Sequence, residues 1–315
     1  MAWIKRMVRI SLLPACIVLL PARLAAQDDA DPVVRPPCLL HLQQIQHTTD
    51  DVLHCLSSET ALLRQTLNDA APHHANRLLT MFRKDVDALI SILYATPEQT
   101  ALFSEPDQML RYLRQPSVHA PGSQGAPVLP ADLDTTMPGN MAKLERAGLR
   151  YVDMSEGEVA IHPQPQFLLD LFGAHVSADY RHFLRLESQK NKHLPGMGQY
   201  NYNDWPMMGK RLAAWEHFLE QYPDSPLAIQ AKRHYGYEQS LYLVGGEYTP
   251  AIDSETGKVV PILQQEWRSF ARQHPRSLTT RLIRLLRDQL HIDPVEKMQR
   301  IQRVQSQALE MDMSQ

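Results

Sequence analysis

The sequence predicts a mainly α protein, made of helical hairpins with one small β-hairpin. Three observations predict it. Long stretches place apolar residues at three- and four-residue steps, the spacing of one helix face. Runs with the two-residue alternation of a strand are few. One phrase, W-x-x-F-x-x-x-[YH]-P-x-S, is written twice. Trp215, Phe218, Pro223 and Ser225 return 52 residues later as Trp267, Phe270, Pro275 and Ser277, with Tyr222 answered by His274.

Residues 1–26 read as a secretory signal. Lys5, Arg6 and Arg9 precede a short apolar run from Ile10 to Leu20, and Leu24-Ala25-Ala26 offers a small-residue cleavage site before Gln27. Pro14 and Pro21 interrupt the run, and it is too short for a membrane span. Cys16 follows Leu13-Pro14-Ala15, but that proline and the apolar residues beyond the cysteine argue against a lipoprotein anchor. Removing Lys5, Arg6, Arg9 and Arg23 moves the formal charge from −3 to −7. A mildly acidic chain argues against non-specific binding to nucleic acid or to an anionic membrane face. The expected location is the periplasm, with no span left after cleavage.

Residues 27–37 are a polar, proline-bearing arm, expected to be mobile. Residues 38–114 form an N-terminal helical unit. Its first stripe is Leu42, Ile45, Thr49, Val52, Leu56, Leu63 and Leu67, read as one helix or as two hinged at Thr48-Thr49-Asp50. Leu78, Leu79, Phe82, Val86, Leu89, Ile90 and Leu93 stripe the next. Thr96-Pro97-Glu98-Gln99 is a helix start in which Thr caps and Gln reaches back. Cys38 and Cys55 are the only cysteines past the signal. On one continuous helix they would stand about 25 Å apart, far beyond disulfide reach. The unbroken stripe favours that helix, so no Cys38–Cys55 bond is expected.

Residues 115–139 hold five prolines and three glycines and read as a linker. The next block, 140–290, opens with a short helix capped by Asn140 and closed by Gly148. A β-hairpin follows near 149–162, turning at Ser155-Glu156-Gly157. Phe167 to Phe172 and Tyr180 to Leu186 are helical. Leu194 to Asp204 is an aromatic, glycine-rich loop.

In the twice-written phrase, Trp and Phe share a helix face, proline ends that helix, and serine starts the next. Residues 244–261 interrupt the unit with turn formers. Without those 18 residues its length falls from 52 to 34, the length of a tetratricopeptide-type helix pair. The stretch Phe218 to Ala231, F-L-x-x-Y-P-x-S-x-x-A-x-x-A with Ile229 and Lys232 departing from the pattern, resembles helical repeats of exported bacterial proteins. Outer-membrane assembly lipoproteins and Tol–Pal-associated coordinators carry such phrases. The resemblance covers roughly residues 204–290 and implies a tetratricopeptide-like pair of units that holds a partner. Residues 291–315 add a last amphipathic helix, expected to stand free of the repeats.

No motif fixes a reaction. His47 and His54 lie seven residues apart, about 10 Å along a helix, too far for one metal. Asp253 to Gly257 lacks the bidentate glutamate of a calcium loop. No cofactor and no metal is implied. Asp153, Glu156 and Glu158 gather on the hairpin, but turn tips are wet, and glycan hydrolysis needs one desolvated acid. Tyr200, Tyr202 and Trp205 could stack on a sugar or peptide, or pack over the first repeat helix. Two functions follow. The first is a non-enzymatic periplasmic module that binds an envelope protein or peptide. The alternative is a cell-wall protein that binds or hydrolyses peptidoglycan through residues 200–205 and the hairpin acids.

Overall fold

The computed structural model describes Leu39, Leu42 and residues 47–104, 106–113, 136–155, 158–192, 204–246, 249–251, 253, 258–288 and 294–309. The expected signal, the arm at 27–37 and residues 115–135 of the linker lie outside the described residues. The described chain is mainly helical. Its strands form one antiparallel hairpin and one two-residue ladder.

Helices α1 (Thr49–Asn68) and α2 (Pro72–Tyr94) form the first hairpin. Their facing stripes are buried: Val52, Leu56 and Leu67 against Leu79, Phe82, Leu89 and Leu93. Each such side chain contributes about 1.5–3 kcal/mol over exposure. The single helix expected from Leu42 onward is corrected here. Leu39 and Leu42 are helical, but His47 and Thr48 are not. Thr48 starts α1 with a capping box: its hydroxyl accepts from Asp51 N at 3.2 Å, and its own N–H donates to Asp51 Oδ2 at 2.9 Å. Those Thr48 hydrogen bonds, backbone first, hold the Asp51 carboxyl below its ordinary value. The local polar bonds outcompete helix propagation across the break. Cys55 is disulfide-bonded to a cysteine outside the described residues, and the break at Thr48 removes the continuous helix on which the expected absence of a Cys38–Cys55 bond rested.

The short helices α3 (Pro97–Phe103) and α4 (Pro106–Leu113) follow. Thr96 and Gln99 do not form the expected local cap. Thr96 Oγ1 donates to Leu93 O at 2.8 Å and meets Thr49 Oγ1 at 3.1 Å. Gln99 accepts the Tyr151 hydroxyl proton at 2.7 Å. That hydroxyl is pushed up to about 12 by burial, so it acts as a donor.

Helix α5 (Thr136–Arg146) begins four residues before Asn140, which is therefore interior rather than the expected cap. Gly148 ends it at φ 80°, where a Cβ would meet the Phe167 ring at 2.5 Å. Strands β1 (Leu149–Ser155) and β2 (Glu158–Pro163) pair from Leu149↔Pro163 to Asp153↔Val159, with a bulge before Ser155. The hairpin lies against the N-terminal unit, where Ile161 N donates to Tyr94 Oη at 2.7 Å. The two blocks that the linker separates in sequence thus meet in space.

Helices α6 (Pro165–Phe172) and α7 (Ala178–Lys192) lead to the repeat region. There α8 (Trp205–Gln221) and α9 (Ala228–Val244) make one pair, and α10 (Pro261–Gln273) and α11 (Leu278–Asp288) another. Their turns are alike. Tyr222 sits at φ −131°, ψ 58° and His274 at φ −126°, ψ 61°. Each N–H reaches the phenylalanine carbonyl four residues back, at 2.9 and 2.8 Å, and each serine N–H bonds the cap carbonyl at 3.2 Å. Trp215 and Trp267 are each 1% exposed, with Phe218 and Phe270 buried beside them. The inserted segment is not a plain loop. It carries the ladder β3 (Gly245–Gly246) and β4 (Thr249–Pro250) and sends Ala251 and Val259 into the core.

Helix α12 (Pro294–Leu309), expected to stand free, is packed on α9 and α11. Gln305 Nε2 donates to Gln239 Oε1 at 2.8 Å and to Gly236 O at 3.2 Å. Gln239 in turn donates to Thr279 Oγ1 at 2.8 Å. A buried polar chain of this kind, with its members bonded, fixes one packing rather than many.

Candidate functional site

The residues singled out by sequence go mostly into the core. Trp205 is 2% exposed and packs edge-on against Tyr242 at 6.4 Å, which leaves no open face for a ligand. Tyr200 and Tyr202 lie outside the described residues, as does Glu156. Asp153 is 5% exposed while Glu158 is exposed, so these two carboxyls face different surroundings. Pro223 and Pro275 sit at exposed turns, with Ser225 and Ser277 half-buried beside them. Among the described residues no three His, Cys, Asp or Glu side chains gather to hold a metal ion.

The two serines differ in what they reach. Ser277 Oγ accepts from Thr280 N at 3.0 Å, a local helix cap. Ser225 Oγ donates to Asp179 Oδ2 at 2.6 Å. Asp179 also takes the Ser177 hydroxyl proton, and Asn76 on α2 holds Ser177 through two bonds of 2.8 and 3.1 Å. Burial opposes ionisation of Asp179, but the Ser177 and Ser225 hydroxyls outweigh it and hold the carboxyl below its ordinary value. The first repeat turn is thereby tied to the N-terminal hairpin.

Beside this tie, α2, β2, α6, α7 and α9 enclose a cleft of about 290 Å³. That is near the lower end for ligand sites. Arg83 and Glu187 form an ion pair on one side of it. His234 Nε2 stands 3.7 Å from the other Glu187 oxygen, which makes that contact electrostatic rather than a hydrogen bond. Burial alone would raise the Glu187 pKa. His234 and Arg83 overcome it and hold the carboxylate below the usual range.

An aromatic floor supports these charges. The Arg83 guanidinium lies 5.8 Å from the Phe183 ring centre. His234 stacks on Trp215 at 5.3 Å and 14°, and Phe183 meets Trp215 edge-on at 5.5 Å. The repeat-defining Trp215 thus stacks on the imidazole that stands beside Glu187. Val86, Pro163, Pro165 and Leu168 supply apolar wall. Asp87 and Gln230 also line the cleft, and neither side chain has a hydrogen-bond or ion-pair partner among the described residues.

Sequence reasoning missed Arg83, Asp87, Glu187, Gln230 and His234. One local signal existed: Arg83 and Asp87 flank Val86 at the border of the α2 apolar stripe, four residues apart. Glu187 and His234 have none: Glu187 is followed by Ser188-Gln189-Lys190 and His234 is preceded by Lys232-Arg233, so neither stands out from its polar neighbours.

Fold and cleft define a scaffold of stacked helix pairs that offers one small, mixed polar and apolar cleft. No family model, no curated protein and no solved structure matches this chain.

Proposed function

We propose that the protein is exported to the bacterial periplasm and works there as a non-enzymatic module that holds a partner protein or peptide. The observation that carries this reading is the cleft. It lies where the repeat-like pair meets the N-terminal hairpin, and its Asp87 and Gln230 side chains are unengaged. Two further facts support it. The Cys55 disulfide suits an oxidising compartment. The turns at Tyr222 and His274 are alike, which supports reading the segment as two equivalent helix pairs. Glycan hydrolysis is the poorer fit: of the hairpin acids expected to serve it, Asp153 is buried and Glu158 exposed, and Trp205 of the aromatic loop packs into the core.

A pull-down from envelope extract, run beside a peptidoglycan sedimentation assay, tests the proposal. The expected result is a discrete envelope protein retained on the chain, and a chain that stays in the supernatant with peptidoglycan. A chain that pellets with peptidoglycan and retains no protein would overturn it in favour of a wall-binding protein. Export is checked separately: the mature N-terminus should be Gln27, and an intact Met1 in the cytoplasm would refute it.

A further inference from the structure

We infer that the cleft between α2 and α9 receives a basic side chain, lysine or arginine, presented by the partner. The inference rests on the interaction-module reading and adds the chemistry of the partner to it.

Charge selects the head group. The cleft is lined by two carboxylates, Asp87 and Glu187, and one guanidinium, Arg83. Arg83 and Glu187 neutralise each other. That leaves the Asp87 carboxylate, exposed at the rim and without a partner among the described residues. A cation entering here gains an ion pair without breaking one. An anion would meet Asp87 while the nearest cation is already held by Glu187.

Shape and polarity select the stem. The apolar part of the lining is Val86, Leu168, Pro163 and Pro165. Lysine and arginine carry three or four methylene groups behind the charge and bury them along such walls while the head stays at the polar rim. A free small amine has no stem to cover these walls. A purely aliphatic side chain covers them and leaves Asp87 alone. Gln230, half-buried on α9 and with no amide partner among the described residues, offers both N–H donors and a carbonyl acceptor to the backbone beside the inserted residue. The volume of about 290 Å³ is ample for one such side chain.

Three acetylated and amidated tripeptides serve as probes: Ala-Lys-Ala, Ala-norleucine-Ala and Ala-Glu-Ala. Each is titrated into the purified, isotope-labelled mature protein at low salt. The Gln230 side-chain amide and the Leu168 methyl signals are followed by NMR. The expected result is that the lysine peptide shifts both signals, with half-saturation at least tenfold below that of the norleucine peptide. The glutamate peptide should shift neither. In Asp87→Asn the lysine preference should fall to within about twofold, with an unchanged melting curve because Asp87 is exposed. Raising the salt to 0.5 M should also shrink the preference.

Equal binding of lysine and norleucine peptides, silence at Gln230 and Leu168, or a preference that survives Asp87→Asn would each overturn the inference. If one of these occurs while the envelope pull-down still retains its protein, the module reading stands and only the basic-side-chain chemistry fails.

Discussion

The two faces of α2 bury the same kind of side chain with opposite results. Toward α1, Asp85 meets Glu59, and both are 6% exposed. Burial, and then the Asp85 charge and hydrogen bond, push Glu59 up to about 7. Two residues earlier on the same helix, Arg83 meets Glu187 of α7. Burial acts in the same direction there, but His234 and Arg83 reverse it. A buried acid is thus a proton holder on one face and a fixed anion on the other. What differs is the partner: a second carboxyl on one face, a guanidinium and an imidazole on the other. The Glu59 face closes the N-terminal hairpin on itself. The Glu187 face joins that hairpin to the repeat-like pair, and the cleft opens there.

The largest expected effect tests the floor under the second face. Trp215→Ala removes a ring packed against Phe183 and stacked on His234, and should cost on the order of 3–5 kcal/mol. Trp267→Ala should cost a similar amount, since Trp267 is equally buried. Thermal melts check both. The two variants should differ in one respect. Only Trp215→Ala should also weaken the Arg83–Glu187–His234 cluster, seen as a smaller loss of stability on acidification. Unchanged melts for both would sink the repeat-like account of the core.

Next comes the anionic face. Glu187→Gln leaves Arg83 largely buried without a counter-charge, at a cost of about 3 kcal/mol near pH 7. Glu187 titrates lower in the folded chain than unfolded, so its contribution is present above the ordinary 4.5 and is lost as pH falls through the folded value. The variant should therefore lose least, relative to the wild type, in acid. A constant deficit from pH 3 to pH 8 would contradict the assignment.

The proton-holding face should respond with the opposite sign. Glu59 titrates higher in the folded chain, so its favourable contribution is full below 4.5 and disappears as pH rises through about 7. Glu59→Gln keeps the shape and removes the ionisation. It should match the wild type near pH 4.5 and exceed it by about 2–3 kcal/mol at pH 8. Denaturant melts at the two pH values measure this. A gain of equal size at both would mean that Glu59 does not hold a proton.

How far these faces could be read from sequence follows from the range of each interaction. The stripes on α1 and α2 were legible because helix burial repeats every three or four residues. The turns at Tyr222 and His274 were legible because proline and serine act within a few positions. The break at Thr48 was visible only as an alternative, since a capping box competes with an unbroken apolar stripe and the stripe is the louder signal. Thr96 and Gln99 looked like a local cap, yet their side chains turn to Thr49 and Tyr151, about fifty residues away in either direction. Of the cleft, only the four-residue spacing of Arg83 and Asp87 on α2 was legible. Arg83 and Glu187 are 104 residues apart, and nothing around either one announces the other.

The smallest expected effect asks whether α2 couples its two faces. Asp85 and Arg83 are two residues apart on one helix, so a shift of α2 toward α1 would draw Arg83 away from Glu187. Against that, the two clusters share no side chain. The Glu59 pair lies between α1 and α2, while the Glu187 cluster lies among α2, α7 and α9. Sites with no common partner usually add to within about 0.3–0.5 kcal/mol. A well-packed helix also resists the rigid shift that coupling would need. The double variant Glu59→Gln, Glu187→Gln should therefore differ from the sum of the singles by less than about 0.5 kcal/mol at pH 8. A coupling of 1 kcal/mol or more in that cycle would show that the proton on Glu59 reaches the cleft through α2, and the two faces would have to be treated as one device.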